Sequence, residues 1–211
     1  MAGMRHDLAG RSLMHGLMFK ATEGYVMANH GADLWARVTQ AAGVPFDRFH
    51  SMRSYDPDLM VALMAAISHE LGRSPPAVME DIGHWICVHP PLDGVRRLIR
   101  FGGPSFEDLI LSLDDMRDRV RMALPDLDLP KHRVRELGDG EYEIDSEYWM
   151  LGVSAVTTGM LRAMSDDYGT LAVIRVKTYG CIDGVWHETV SVSVVDPDFQ
   201  APRDFRLSGA A

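Results

Sequence analysis

The stretch Leu111–Pro125, LSLDDMRDRVRMALP, decides how this chain is read. Ser105 is a good N-cap for the helix that runs into it. Phe106, Leu109, Leu113, Met116 and Val120 then recur at the three- and four-residue spacing of a helix that buries one side. The spacing predicts a long helix over 106–124. Arg117 stands on the flank of its apolar stripe, four residues after Leu113. Two readings of that cation are open. It lays its methylenes on the core with the head in water, or pairs with Asp114, a contact worth about 0.3 kcal/mol. Alternatively its charge enters a cavity, where it needs an anionic partner because burial alone is too costly.

Upstream, the chain reads as helices. Apolar residues from Met14 to Asn29 have helical spacing, and a second helix spans Ala32 to Ala42, stopped by Gly43-Val44-Pro45. Asp56-Pro57-Asp58 supplies an N-cap and a first-turn proline for LMVALMAAISHEL, which Gly72 ends. Ser74-Pro75-Pro76 repeats the device for AVMEDIGHWICV, ended by Pro90-Pro91. Downstream of Pro130 the period changes to two. HRVREL and EYEIDS flank Gly138-Asp139-Gly140, and TLAVIRVKTYG and VWHETVSVSVV flank Asp183-Gly184, so two hairpins are predicted with a helix over about 150–165 between them. Seven or so helices and two hairpins make an α+β domain with a small antiparallel sheet.

At 211 residues the chain has the size of one domain with a proper core. Its net charge of -9 opposes binding to nucleic acid, which needs a basic face. The longest apolar run, residues 59–67, is well short of the roughly 20 that span a bilayer, and MAGMRHDLAGRSL lacks the apolar core of a signal peptide. Cys87 and Cys181 form no C-x-x-C pattern, which fits a reducing compartment, so a cytoplasmic protein is expected. Fourteen methionines suit a core with irregular gaps, or plain core filling. No phosphate loop, nucleophile elbow or zinc-protease helix appears, and no enzyme is expected.

Over about Met14 to Val195 the order of elements, with Met14-His15-Gly16, LWARVTQAAGV and LSLDDMRDRVRMALPDLDLP, resembles the heme nitric oxide/oxygen-binding (H-NOX) family. The resemblance implies an N-terminal helical bundle followed by a four-stranded antiparallel sheet with an inserted helix. It divides the chain into an extension (1–13), the H-NOX-like domain (14–195) and a tail (196–211), with Met14 as an alternative start. It also implies heme b, held by a histidine that follows an L-D-x-x pattern, with a proline thirteen residues later. Here Leu113-Asp114-Asp115-Met116 leads to Arg117, and Pro130 keeps the spacing. A guanidinium stays protonated and has no lone pair for iron. The family's propionate motif, Tyr-x-Ser-x-Arg, is matched by Ile144-Asp145-Ser146-Glu147-Tyr148, where Ser146 persists and Tyr148 replaces the arginine fork. By position, Met18, Ile86, Pro90 and Val153 would form the distal wall. None is a hydrogen-bond donor, so a retained heme would favour nitric oxide.

Other metal ligands stay unassigned. His132 is expected as a solvated strand-start residue, and His84, Cys87 and His89 supply fewer than the four ligands of a closed zinc site. The resemblance thus implies a stand-alone sensory domain with a degenerate heme site. A ligand between helices and sheet would shift them and so regulate a histidine kinase or a diguanylate cyclase/phosphodiesterase in trans. A heme-free interaction module and a carrier of another apolar ligand are the alternatives.

Overall fold

The computed structural model describes residues 13–203 and, within them, all side chains but those of Pro91, Asp93 and Ala123. Residues 1–12 and 204–211, which include most of the expected extension and the end of the expected tail, lie outside the described residues. The chain divides into two compact units, one of residues up to Ile82 with Asp118–Leu129, the other of Gly83–Arg117 with Pro130 onward.

In the first unit, Met14–His15 (β1) pairs antiparallel with Ser54–Tyr55 (β2), and helix α1 spans Gly16–His30. The expected helical start at Met14 is therefore two residues early. Two features fix the boundary. His15 is extended and its Nδ1 accepts from the Leu17 N–H at 3.2 Å. Gly16 donates its N–H to the Arg53 carbonyl at 2.7 Å, and any β-carbon there would run into the His50 and Arg53 carbonyl oxygens. Phe19, Phe46, Phe49 and Tyr55 form an aromatic core, with Phe19 and Phe49 stacked at 4.8 Å. Helix α2 (Ala32–Ala41) follows, then α3 (Pro57–Leu71), whose expected devices are both in place. Asp56 accepts from the Asp58 N–H at 3.0 Å, and Gly72 ends the helix at φ 62°. Helix α4 (Pro75–Val88) contributes its residues up to Ile82 to this unit and the rest to the second.

The second unit adds α5 (Asp93–Arg100), a helix missing from the sequence-based expectation; its apolar and charged residues alternate as an amphipathic helix requires, but it spans only eight residues directly after Pro90-Pro91, which reads as a break. The long helix expected over 106–124 is broken. Residues Phe106–Leu111 form α6 and Met116–Ala123 form α7, with a tighter 3₁₀ turn at Ser112–Asp115. Two polar side chains account for the break. The Ser112 hydroxyl donates to the Leu109 carbonyl at 2.8 Å, and the Asp114 carboxylate accepts the Val134 N–H at 2.6 Å, tying the turn to the sheet. The N-cap is as expected and extends to a capping box, in which Ser105 and Asp108 each accept the other's backbone N–H.

The sheet comprises β3 (Lys131–Gly138), β4 (Glu141–Tyr148), β5 (Leu171–Ile182) and β6 (Val185–Asp196), all antiparallel, in the order β3-β4-β6-β5. Asp139-Gly140 and Asp183-Gly184 turn with positive φ at both residues, the mirror-image turn that matches strand twist. One face carries Tyr142, Ile144, Ile174, Val190 and Val192 into the core, with Phe106, Leu109 and Ile110 from α6 and Leu161 and Met164 from α8 (Val153–Tyr168).

Helix α8 starts three residues later than the expected position 150. Gly152 takes φ 104°, and the Glu188 carboxylate reaches from β6 to the helix start. One oxygen accepts from the Gly152 and Val153 N–H groups at 2.8 and 3.2 Å; the other accepts from the Ser154 N–H at 3.0 Å and from the Ser154 hydroxyl. Glu188 is 3% exposed, so this anion is satisfied by the helix it caps. Gly83 of α4 faces the Val156 carbonyl, where a β-carbon would overlap it, so α4 and α8 approach more closely than a side chain allows.

Candidate functional site

Arg117 is the second residue of α7 and follows the 3₁₀ turn. Leu113 and Val120 on either side are buried, Met116 and Arg117 are half-buried, and the Arg117 Nε lies beneath the surface. The side chain is thus neither fully sunk nor lying free on the surface, as a snorkelling flank residue behaves. Asp114, the partner expected from helical spacing, commits one carboxylate oxygen to the β3 backbone.

Pro130, half-buried, directly precedes β3. The next strand positions correct an expectation. His132 is not solvated but 9% exposed, and its Nδ1 lies 2.9 Å from the hydroxyl of Ser146, which is 2% exposed. The physical reason is strand alternation. Lys131 and Arg133 point to the charged face, so His132 points inward, and hairpin register sets it opposite Ser146. Burial pushes the imidazole down to about 4, against the opposing pull of Asp114, so it is neutral near pH 7. Tyr148 is also buried, its ring 5.1 Å from that of Trp149. On the outer face Glu143 and Asp145 both pair with Arg135, at 2.7 and 3.0 Å.

The residues read as a distal wall are distributed. Met18 is half-buried on α1 in the first unit; Ile86 is half-buried on α4, and Val153 is buried as the first residue of α8, both in the second. Pro90 is exposed in a 3₁₀ turn, where it lines a pocket of about 390 Å³ with Cys87, His89, Arg96, Asp167 and Arg203. Asp167, 2% exposed, is the pivot of that cluster. One of its carboxylate oxygens pairs with Arg96 and the other with Arg100 at 2.8 Å, while its carbonyl accepts from Arg100 at 3.2 Å and from the Arg203 N–H at 2.9 Å. Arg100 also lies over the Tyr168 ring, 3.9 Å from its centre. Burial, reinforced by the Asp167 charge, pushes the Cys87 thiol up to about 12, so it is a poor nucleophile. His89 stacks flat on Trp85 at 4.3 Å. Among the described residues, no three His, Cys, Asp or Glu side chains gather as a metal site, and no helix is long and apolar enough to cross a membrane.

Sequence reasoning missed the Asp167 cluster because its members lie on α5, α8 and the tail, far apart in the chain. The only hint was the arginine-rich string RRLIR, residues 96–100.

Three comparisons bear on this arrangement. A family described as haem-NO-binding matches residues 15–176. Two Drosophila melanogaster proteins, soluble guanylate cyclases 89Db and 89Da, are each 22% identical to the chain over 155 and 160 residues. Those matches cover 74% and 76% of this chain but only 23% and 24% of the cyclases, so the chain spans about a quarter of their length. Among solved structures, a Cs H-NOX mutant carrying 4-cyano-L-phenylalanine and an isoleucine-to-phenylalanine mutant of T. Tengcongensis H-NOX each superpose with a TM-score of 0.74 at 13% identity, covering 89% and 88% of this chain and 100% of each of theirs. An oxygen-binding H-NOX domain related to soluble guanylate cyclases gives a TM-score of 0.68 at 13% identity, over 90% of this chain and 100% of that one.

Proposed function

The chain belongs to the haem-NO-binding family, heme-based gas sensors related to soluble guanylate cyclases, and from that premise we propose that this member signals without heme held in the family's manner. It acts as a non-enzymatic cytoplasmic domain whose surface regulates a partner signalling protein. The carrying observation is Arg117. It occupies the position where the resemblance places the axial histidine, with Pro130 at the matching distance, and it has no electron pair to donate.

The sheet supports the same reading. At the propionate motif the Ser146 hydroxyl is engaged by buried His132, and Tyr148 brings at most one hydrogen bond where a guanidinium would bring a charged fork. Asp145 and Glu147 on either side of Ser146 alternate to the outer face, where they pair with Arg135 and Lys131, so neither neighbour replaces the missing cation. These residues do not fit a porphyrin, and no step of the function is routed through one. A histidine kinase or a cyclic-dinucleotide enzyme acting in trans is the class of partner that the family suggests.

Expression with added heme precursor tests the reading. The wild-type protein is expected to stay colourless, whereas Arg117→His should gain a Soret band if position alone was lost. A colourless Arg117→His extends the loss to the rest of the site. A stoichiometric Soret band in the wild type, unchanged by Arg117→Ala, would overturn the proposal.

A further inference from the structure

We propose that the pocket formed by the end of α4, by α5 and by α8 binds a small organic phosphate in its dianionic form, with Arg203 and Arg96 as the residues that hold it. The site lies within the second unit and does not include Arg117, so it stands or falls separately from the heme reading.

The local charge favours an anion. The chain bears -9 overall, yet the described side chains lining this pocket include two guanidiniums and a single carboxylate, Asp167. That carboxylate is saturated from within, since Arg96 and Arg100 take its two oxygens. Arg96 and Arg203 line the pocket, and Arg100, outside the lining, shares Asp167 with Arg96, so the three guanidiniums exceed the one carboxylate by about two positive charges, the charge of a phosphate monoester near neutral pH. No carboxylate among the described residues pairs with the Arg203 guanidinium, and its backbone N–H, not its side chain, ties the tail to α8. Arg203 is exposed at the pocket rim, where a charged fork suits bidentate recognition of phosphate.

The pocket is also preorganised and of suitable size. Asp167 is buried and holds the Arg96 and Arg100 guanidiniums, and Arg100 is further set by the Tyr168 ring, so this cationic cluster is built before any ligand arrives. The volume of about 390 Å³ falls within the usual range for small-molecule sites and exceeds what a bare phosphate fills. Val88, Pro90 and Ala163 supply an apolar side for the body of such a molecule, and the thiol of Cys87, held neutral, adds no competing anion.

Titration calorimetry of the full chain in phosphate-free buffer, at constant ionic strength, tests this with inorganic phosphate, phenyl phosphate and succinate. Saturable one-to-one binding of both phosphates is expected, phenyl phosphate being the tighter because its ring covers the apolar side. Arg203→Gln should weaken both about tenfold or more, and Arg203→Lys, which keeps the charge but not the fork, should fall between. Because the Arg203 side chain makes no structural bond among the described residues, both variants should keep the wild-type circular dichroism spectrum. No saturable heat at millimolar phosphate, or equal affinity in Arg203→Gln, would overturn the site. Succinate binding as tightly as phenyl phosphate would overturn the assignment to phosphate.

Discussion

His132 is a buried side chain whose charge state couples to stability. Desolvation lowers it from the ordinary 6.5 to about 4, so between those values the unfolded chain binds a proton that the folded chain does not. Stability linked to this residue is therefore fully present above about pH 6.5 and is lost as pH falls toward 4. The shift corresponds to roughly 3 kcal/mol at its limit. Urea unfolding should give a midpoint that declines between pH 6.5 and 4.5, and His132→Asn should flatten that decline while keeping a bond to Ser146. An imidazole titration by NMR with a midpoint near 6.5 would contradict it. In one dimension His132 stands at a strand start just after a proline, which suggests solvent. The pairing with Ser146 was not available from the turn alone, because counting back from Gly138 and Glu141 sets His132 opposite Glu147, and only the bulge between Glu136 and Gly138 shifts it to Ser146. The distance from Arg117 to Pro130, by contrast, is read directly from the one-dimensional text, whereas the 3₁₀ turn just ahead of Arg117 is not.

At the scale of elements, the helices announced by N-caps and prolines were the readable ones. Asp56-Pro57 and Gly72 bound α3 as their chemistry requires, and both Asp-Gly hairpins form where they were expected. What escaped were features set by distant side chains. The 3₁₀ turn before α7 depends on Asp114 meeting a strand twenty residues on, and the start of α8 depends on Glu188, thirty-four residues beyond Ser154. That cap gives a direct test. Glu188→Ala removes the acceptor of three buried N–H groups at the start of α8 and should cost about 3 kcal/mol or more in urea unfolding. Hydrogen exchange at residues 152–154 should accelerate alongside. Glu188→Gln, which keeps an acceptor oxygen, should cost less. Equal stability of the alanine variant and the wild type would show that the cap is dispensable.

For the whole molecule, net charge and fold class were legible from composition and period alone. The value of -9 predicts no measurable association with duplex DNA at physiological salt, which fluorescence anisotropy can check; a salt-sensitive rise in anisotropy would contradict it. The anionic average conceals the arginine cluster around Asp167, a contrast that only the folded arrangement brings out.

The order of the sheet carries a last consequence. Among the described residues β5 has a neighbour on one side only, and Val173, Val176, Tyr179 and Ile182 are exposed along it. Such a rim is a template on which unfolding chains can stack into fibrils. Two things blunt it: Arg175 and Lys177 stud the strand with like charge, and the slip in register between Val176 and Thr178 interrupts the straight run of amides that an incoming chain would have to match.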